Sequence, residues 1–257
     1  MSFVVPAHDE EAALPATLAA IAEAASGLRY EIVVVDDAST DRTGAIARAA
    51  GAVVVRVEHR QISRTRNAGA AVARGRVLVF VDADTRVTPA VLAAVRAAVE
   101  DGAIGGGARI AFDAPVPRWA KTVAPAFTRL YRAFGLAAGC FLFCTRDAFL
   151  AVGGFDEAMF AGEEVQMSRA LRRFARAERR RGRTARFTIV AEAVVTSARK
   201  LRQFSGWTLL RTIAWVGFAG RRGVRDRRRL DLWYAPRRPD PAPPAAPDGR
   251  RDPAPRR

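Results

Sequence analysis

The chain has 257 residues, half of them apolar, with 42 basic against 26 acidic residues and a net charge of +16. That length and apolar fraction exclude a wholly disordered chain and allow a sizeable core in one domain or two. The charge suits an anionic partner, whether nucleotide, phospholipid surface or nucleic acid, although nearly all the basic residues are arginine in an Ala-rich chain, which compositional bias explains in part.

Ser2 to Pro6 reads as the start of a strand, not as a charged leader. The longest near-apolar run, Ala133 to Cys144, falls short of the roughly 20 residues that cross a bilayer. Both features point to a soluble or peripheral protein, cytoplasmic or on the inner face of the membrane. Cys140 and Cys144 are the only cysteines and read as core thiols of a reducing compartment.

In chain order, Phe3-Val4-Val5 is a short buried strand ended by Pro6, and His8-Asp9-Glu10-Glu11 is a polar loop. Leu14, Leu18, Ile21 and Ala25 recur at helical spacing, with Pro15 tolerated in the first turn. Glu31 to Asp37 is a second strand ending in carboxylates, Thr43 to Ala50 a short helix, and Ala52 to Val57 a third strand. Ser63 to Ala73 reads as helix, Val77 to Val81 as a strand, and Thr88-Pro89 caps a helix running to about Glu100. The first hundred residues thus alternate strand and helix, the pattern of a parallel sheet covered on both faces.

The second half is less regular. Gly105-Gly106-Gly107 precedes an expected strand over Ala108 to Phe112, and an amphipathic helix is expected from Trp119 to Phe134. Phe141 to Cys144 is a further strand, Gly153 to Glu157 a turn, Glu163 to Arg176 a helix and Phe187 to Val195 a last strand. Nine arginines between Arg169 and Arg186 read first as a solvated helix face. Residues 199–235 mix Trp207, Trp215, Phe218 and Trp233 with arginines, as either a packed helical extension or an interfacial segment against anionic lipid would. Residues 236–257 hold eight of the fourteen prolines, so this tail cannot bury enough apolar surface to order itself.

The stretch Arg76 to Asp84 organises the rest. Side chains alternate along a strand, so Asp82 and Asp84 share a face provided extended geometry persists through Ala83. Two oxygen donors at the carboxyl end of a parallel strand suit a hard divalent cation and the phosphates it carries. A polar turn capping the next helix is the plainer alternative. Asp9, Glu10, Asp36 and Asp37 end neighbouring strands, so five or six carboxylates should crowd one edge. Like charges so close disfavour one another, and a metal with a nucleotide offering N–H and O–H groups would relieve them.

Val4 to Glu11, Val34 to Asp41, Arg66-Asn67-Ala68-Gly69, Val81 to Asp84, Gly153 to Glu157 and Gly162-Glu163-Glu164 resemble, in order and spacing, the successive motifs of family-2 glycosyltransferases of the GT-A fold. The resemblance covers roughly residues 2 to 200 and implies an α/β fold. Its sheet would be Rossmann-like, mostly parallel and flanked by helices, with a helical C-terminal extension. A transferase domain over 1–198 would divide into a nucleotide-binding half, 1–100, and an acceptor-side half, 101–198. The implied reaction moves a sugar, a hexose in most such enzymes, from a nucleotide sugar to an acceptor hydroxyl with inversion. A UDP-sugar is the expected donor, and a lipid-linked compound is one class of acceptor.

By the same resemblance Pro6, Ala7, His8, Glu10, Asp37, Arg64, Asn67, Asp82, Ala83 and Asp84 bind the donor. Asp82 would take the ribose side, and Asp84 would hold a Mg²⁺ or Mn²⁺ that bridges the phosphates. Glu164, or else Glu163, would be the base. Asp9 departs from the family's usual Asn, and Glu164 from the commoner Asp. Without the Gln-X-X-Arg-Trp signature of the processive members, a single-addition transferase is expected.

Three other readings compete. A sugar-phosphate nucleotidyltransferase would open with a Gly-rich loop after the first strand, which Pro6 to Glu10 lacks. A nucleic-acid-binding protein would place aromatics on a basic face, whereas acids concentrate here; no nucleic acid is expected as partner. His59 as a metal ligand has no neighbour at ligand spacing.

Overall fold

A computed structural model of the chain describes residues 1–114, 116–117, 136–137 and 139–199. The expected helix over Trp119 to Phe134, the extension beyond Arg199 and the proline-rich tail lie outside the described residues.

The strands are β1 (Ser2–Ala7), β2 (Glu31–Asp37), β3 (Val53–Val57), β4 (Val77–Val81), β5 (Thr85–Arg86), β6 (Ala103–Phe112), β7 (Phe141–Thr145) and β8 (Arg186–Thr196). The helices are α1 (Leu14–Ala24), α2 (Thr43–Ala49), α3 (Ile62–Val72), α4 (Pro89–Glu100), α5 (Arg146–Ala151) and α6 (Glu163–Arg180). All the strands join one sheet in the order β3-β2-β1-β4-β7-β6-β8-β5. β3, β2, β1 and β4 are mutually parallel, β7 runs against both β4 and β6, and β5 runs against β8. The expected mostly parallel sheet with flanking helices is the one observed.

Alternation along the strands builds two cores. Phe3, Val5, Val34, Val79 and Val81 face α1 and α4, where Leu14, Leu18, Ile21, Val91, Leu92 and Val95 are buried. Val4, Val33, Val35, Leu78 and Phe80 face the other way, against Ala70 of α3, Phe149 of α5, and Met167 and Leu171 of α6. Each Val, Leu, Ile, Phe or Met among them contributes about 1.5–3 kcal/mol by leaving water. α3 lies close on the sheet because residue 69 is glycine: a Cβ there would fall 2.4 Å from Val4 and 2.7 Å from Val35.

Three features differ from the expected ones. The glycine run does not precede β6 but lies inside it. A Cβ on Gly106 would sit 1.8 Å from the Thr188 carbonyl oxygen and 2.7 Å from the Phe143 ring, so only glycine lets β6 thread between β7 and β8. β5 and α5 went unread, being too short to show a period. α6 runs on to Arg180, and its buried line is Met167, Leu171 and Ala175, with Val165 only half-buried. Its arginines are mostly exposed, and Arg181 and Arg183 beyond it close on Glu178 at 2.8 and 2.7 Å.

Candidate active site

The parallel strands β1, β2, β3 and β4 deliver their carboxyl ends to one edge of the sheet, where open α/β sheets bind ligands. Asp9, Ala38 and Arg60, in the loops after β1, β2 and β3, are the non-glycine residues with positive φ among the described ones (49°, 57° and 49°). Such backbone is disfavoured for side-chain-bearing residues, by of order 1–3 kcal/mol each, and clusters where loops are shaped for binding.

Hydrogen bonds zip the loops after β1 and β2 together. The Asp9 amide donates to the Ser39 hydroxyl at 3.0 Å, the Glu10 amide to the Thr43 hydroxyl at 2.8 Å, and the Thr40 amide to the Asp9 carboxylate at 2.7 Å. Pro6 and Ala7 are buried in β1. The His8 ring lies against the Asp37 carbonyl at 2.8 Å and against the Arg60 guanidinium. The Asp37 carboxylate accepts from the amides of His59, Arg60 and Gln61 and from the Thr65 hydroxyl, at 2.7–3.3 Å. It therefore shapes the turn into α3, and any base or ribose it holds would have to share it. His59 enters through its backbone N–H alone among these contacts.

The geometry after β4 differs from the expected one. The Thr85 amide donates to the Asp82 carbonyl at 3.0 Å, so the chain turns instead of staying extended through Ala83. Asp82 and Asp84 consequently take different partners. Asp82 accepts from Arg66 at 2.8 Å, whereas the Asp84 carboxylate lies 3.5 Å from Arg199. Ala83 is buried, and its carbonyl accepts from the Thr17 hydroxyl at 2.8 Å.

Several of the crowded carboxylates take the protein's own cationic donors. Asp36 takes Arg56 at 2.9 Å, Glu10 takes Arg199 at 3.3 Å, and Asp82 takes Arg66.

Arg66, named from the sequence only within the Arg66-Asn67-Ala68-Gly69 motif, is the hub of the site. Its side chain is 3% exposed. It donates to Glu163 and Asp82 at 2.8 Å each and to the Gly139 carbonyl at 2.7 Å, and it lies over the Phe155 ring at 5.4 Å. Its Nε has no hydrogen-bond partner among the described residues. One signal for this was available. Ser63, Arg66, Gly69 and Ala70 share the buried face of α3, and a long cation on a face of small residues calls for a buried anion.

Glu163 and Glu164 open α6 as expected, after Gly162 in left-handed backbone (φ 70°). Their roles separate. Glu163 is buried and spent on Arg66. Glu164 packs beside Gly139, where a Cβ would lie 3.5 Å from its carboxyl carbon. Although Glu164 keeps some exposure, burial and the neighbouring Glu163 push its pKa from 4.5 up to about 8, with Arg66 opposing the rise.

Two expected donor residues sit elsewhere. The Asn67 amide donates to the Phe155 carbonyl at 2.9 Å and the Glu157 carboxylate at 3.0 Å, and its oxygen accepts from the Phe155 amide at 2.9 Å. It clamps the Gly153–Glu157 turn onto α3. Arg64 pairs with Glu157 at 3.2 Å on the surface. Within that turn Asp156 accepts from the Ala158 amide at 3.0 Å.

Cys144 is fully buried and Cys140 partly so; neither forms a disulfide. Burial raises both thiols, Cys140 to about 12. Among the described residues no three His, Cys, Asp or Glu side chains cluster closely enough to hold a metal alone. The donors available at Asp84 and Glu10 are hard oxygens that already hold a cationic group. They fit an ion of the Mg²⁺ or Mn²⁺ kind, which takes one or two protein carboxylates and completes its shell with substrate phosphates. No described helix is long and apolar enough to cross a membrane.

Comparisons with known proteins agree with this architecture. Over 125 residues the chain is 33% identical to a dolichol-phosphate mannosyltransferase of Pyrococcus furiosus, covering 46% of this chain and 36% of that one. It spans about a quarter to a third of the length of the curated relatives it matches. Its fold superposes with a TM-score of 0.63 on the mannosyltransferase PcManGT of Pyrobaculum calidifontis, solved with GDP-Man and Mn²⁺, at 18% identity over 88% of this chain and 64% of that one. It superposes at 0.57 on the glucosyl-3-phosphoglycerate synthase of Mycobacterium tuberculosis, solved with Mn²⁺, UDP and phosphoglyceric acid, at 19% identity over 88% and 79%. The sequence profile of glycosyl transferase family 2 matches residues 2–150, more than half of the chain, and the protein belongs to that family.

Proposed function

We propose that the chain transfers a hexose from a nucleoside-diphosphate sugar to an acceptor hydroxyl, with inversion, at the carboxyl edge of β1, β2 and β4. The observation that carries the mechanism is the division of labour between Glu163 and Glu164. Glu163 is paired with Arg66 at 2.8 Å and fixes the start of α6. Glu164 is left for the proton transfer, and burial and Glu163 raise its pKa to about 8. A raised carboxylate is matched to taking a hydroxyl proton near neutral pH. It must be ionised to do so, so activity should rise with pH toward that value.

The loop after β1 and the Asp37 turn would cradle the base and ribose, with His8 and Arg60 at its mouth. Asp82, anchored by Arg66, would face the ribose side. Asp84, with Glu10 beside it, would hold the divalent ion, which when bound stabilises charge on the departing diphosphate. Arg66 joins the two halves of the site, because one guanidinium fixes both the turn after β4 and the first turn of α6.

UDP, GDP and dTDP sugars are the donors to screen, since the structural neighbours were solved with UDP and with GDP-Man. The acceptors to screen are a polyprenyl phosphate and a small phosphorylated hydroxy acid, following the relatives' names. Membrane contact at the cytoplasmic face belongs to the same proposal. The test is release of nucleoside diphosphate across those donors with Mn²⁺ and Mg²⁺. Release from at least one donor, stimulated by acceptor, is expected; none from any donor with either metal would refute the reading.

A further inference from the structure

We propose that Arg199 is a resident cation of the donor site, holding the carboxylates of Glu10 and Asp84 in the empty protein and turning onto the diphosphate when donor and metal arrive together. The inference rests on the donor-site reading above and adds to it a residue from outside the nucleotide-binding half.

A single Arg199 nitrogen lies 3.3 Å from each Glu10 carboxylate oxygen and 3.5 Å from Asp84 Oδ2. Three carboxylate oxygens from two loops therefore surround one positive group. The side chains are 7%, 12% and 19% exposed for Glu10, Asp84 and Arg199, so water screens the contact weakly.

This position is anchored. The Ser197 amide donates to the Asp84 carbonyl at 3.2 Å, and the Ala198 amide donates to the Asp113 carboxylate at 3.0 Å. The backbone leading to Arg199 is thus tied to the turn that carries Asp84.

Two consequences follow from charge. A divalent ion approaching Asp84 alone meets the guanidinium and must displace it, so ion binding without nucleotide is weakened. A diphosphate brings several negative charges, and Arg199 can exchange carboxylate for phosphate at little loss while Asp84 is released to the ion. Arginine suits both partners, since its planar fork pairs with carboxylate and phosphate alike. Metal and diphosphate should then enter together, and diphosphate should keep part of its affinity when no metal is present.

Calorimetry on the full chain separates the two effects, using MnCl₂ alone and then UDP and GDP in EDTA. Arg199→Gln should bind Mn²⁺ alone about tenfold more tightly and metal-free UDP or GDP about tenfold more weakly, the scale of one charged hydrogen bond. Arg199→Lys keeps the charge and should stay near wild type for Mn²⁺ alone. A merely structural role would move both affinities of Arg199→Gln downward, and that result overturns the proposal. So does unchanged or unmeasurable Mn²⁺ binding by Arg199→Gln at millimolar ion. Should the wild type bind no UDP, GDP or dTDP under any condition, the transferase reading fails, while the Mn²⁺ arm still decides whether Arg199 guards Asp84. If Arg199→Gln is unfolded by circular dichroism, Arg199→Met must show the same opposed shifts, and their absence counts against the proposal.

Discussion

Replacing Arg66 by methionine keeps an unbranched apolar stem and removes the guanidinium with its charge, leaving Glu163 and the nearby Asp82 without their shared counter-ion. Both contacts are 2.8 Å, and the side chains of Arg66, Glu163 and Asp82 are 3%, 7% and 27% exposed. Breaking a buried pair from one side costs about 3–5 kcal/mol, and the partial exposure of Asp82 puts the expected loss near the lower end, about 3 kcal/mol. The Gly139 carbonyl loses its donor as well. Urea unfolding at pH 7 should show a lower midpoint with an unchanged slope. Arg66 also holds down the pKa of Glu164, so the acidic limb of the activity profile should move to higher pH in the variant. In a double-mutant cycle with Glu163→Gln, much of the loss should appear as coupling between the two residues. A loss below about 1 kcal/mol, with no coupling and no movement of the limb, would refute the view that Arg66 joins the two halves of the site.

Glu164→Gln should lower the transfer rate by about 10²- to 10⁴-fold while donor affinity is retained, the usual effect of losing a general base; near wild-type transfer would move the base elsewhere. The same carboxyl titrates higher in the folded protein, about 8, than its ordinary 4.5, so its contribution to stability is complete below 4.5 and is lost as pH rises to about 8. Thermal melts should therefore show wild type losing stability across that window and Glu164→Gln losing less; parallel pH curves would contradict this. Asp84→Asn should weaken Mn²⁺-dependent binding of UDP or GDP with little change in melting temperature, and undiminished metal-dependent binding in calorimetry would remove Asp84 as ligand. Asn67→Ala should release the Gly153–Glu157 turn, destabilising the fold by about 1–3 kcal/mol through unpaired buried groups, with donor affinity intact if its role is the clamp; lost affinity in a folded variant would restore it to the donor site.

Much of the first hundred residues was legible because buried parallel strands are continuous Val-rich runs that end in polar residues. β2 from Glu31 to Asp37 and the Thr88-Pro89 start of α4 come out of the sequence almost unchanged. β6 starts five residues before the strand expected at Ala108 because Gly105 to Gly107 carries no strand propensity; what makes this stretch a strand is the lack of room beside Thr188 and Phe143. β5 and α5 offer only two and six residues to any periodicity.

The carboxylates of the site were readable from where each strand ends, but their partners were not. Arg66 reaches Glu163 across 97 positions, and Arg199 reaches Glu10 across 189. Such pairings are created by the fold and leave no local pattern. Asn67 shows the converse: a residue in a donor-side motif whose amide is used by a turn 88 positions away.

The central claim is that the strand-end loops bind a nucleotide sugar for Glu164 to act upon. The most direct measurement pairs two readouts on wild type and Glu164→Gln, calorimetric binding of UDP, GDP and dTDP with Mn²⁺, and release of diphosphate from the matching sugar donor with acceptor present. The account predicts that both proteins bind the same nucleotide with similar affinity and that only the wild type turns its sugar donor over. Absence of nucleotide binding in both proteins, or equal turnover by both, would contradict it.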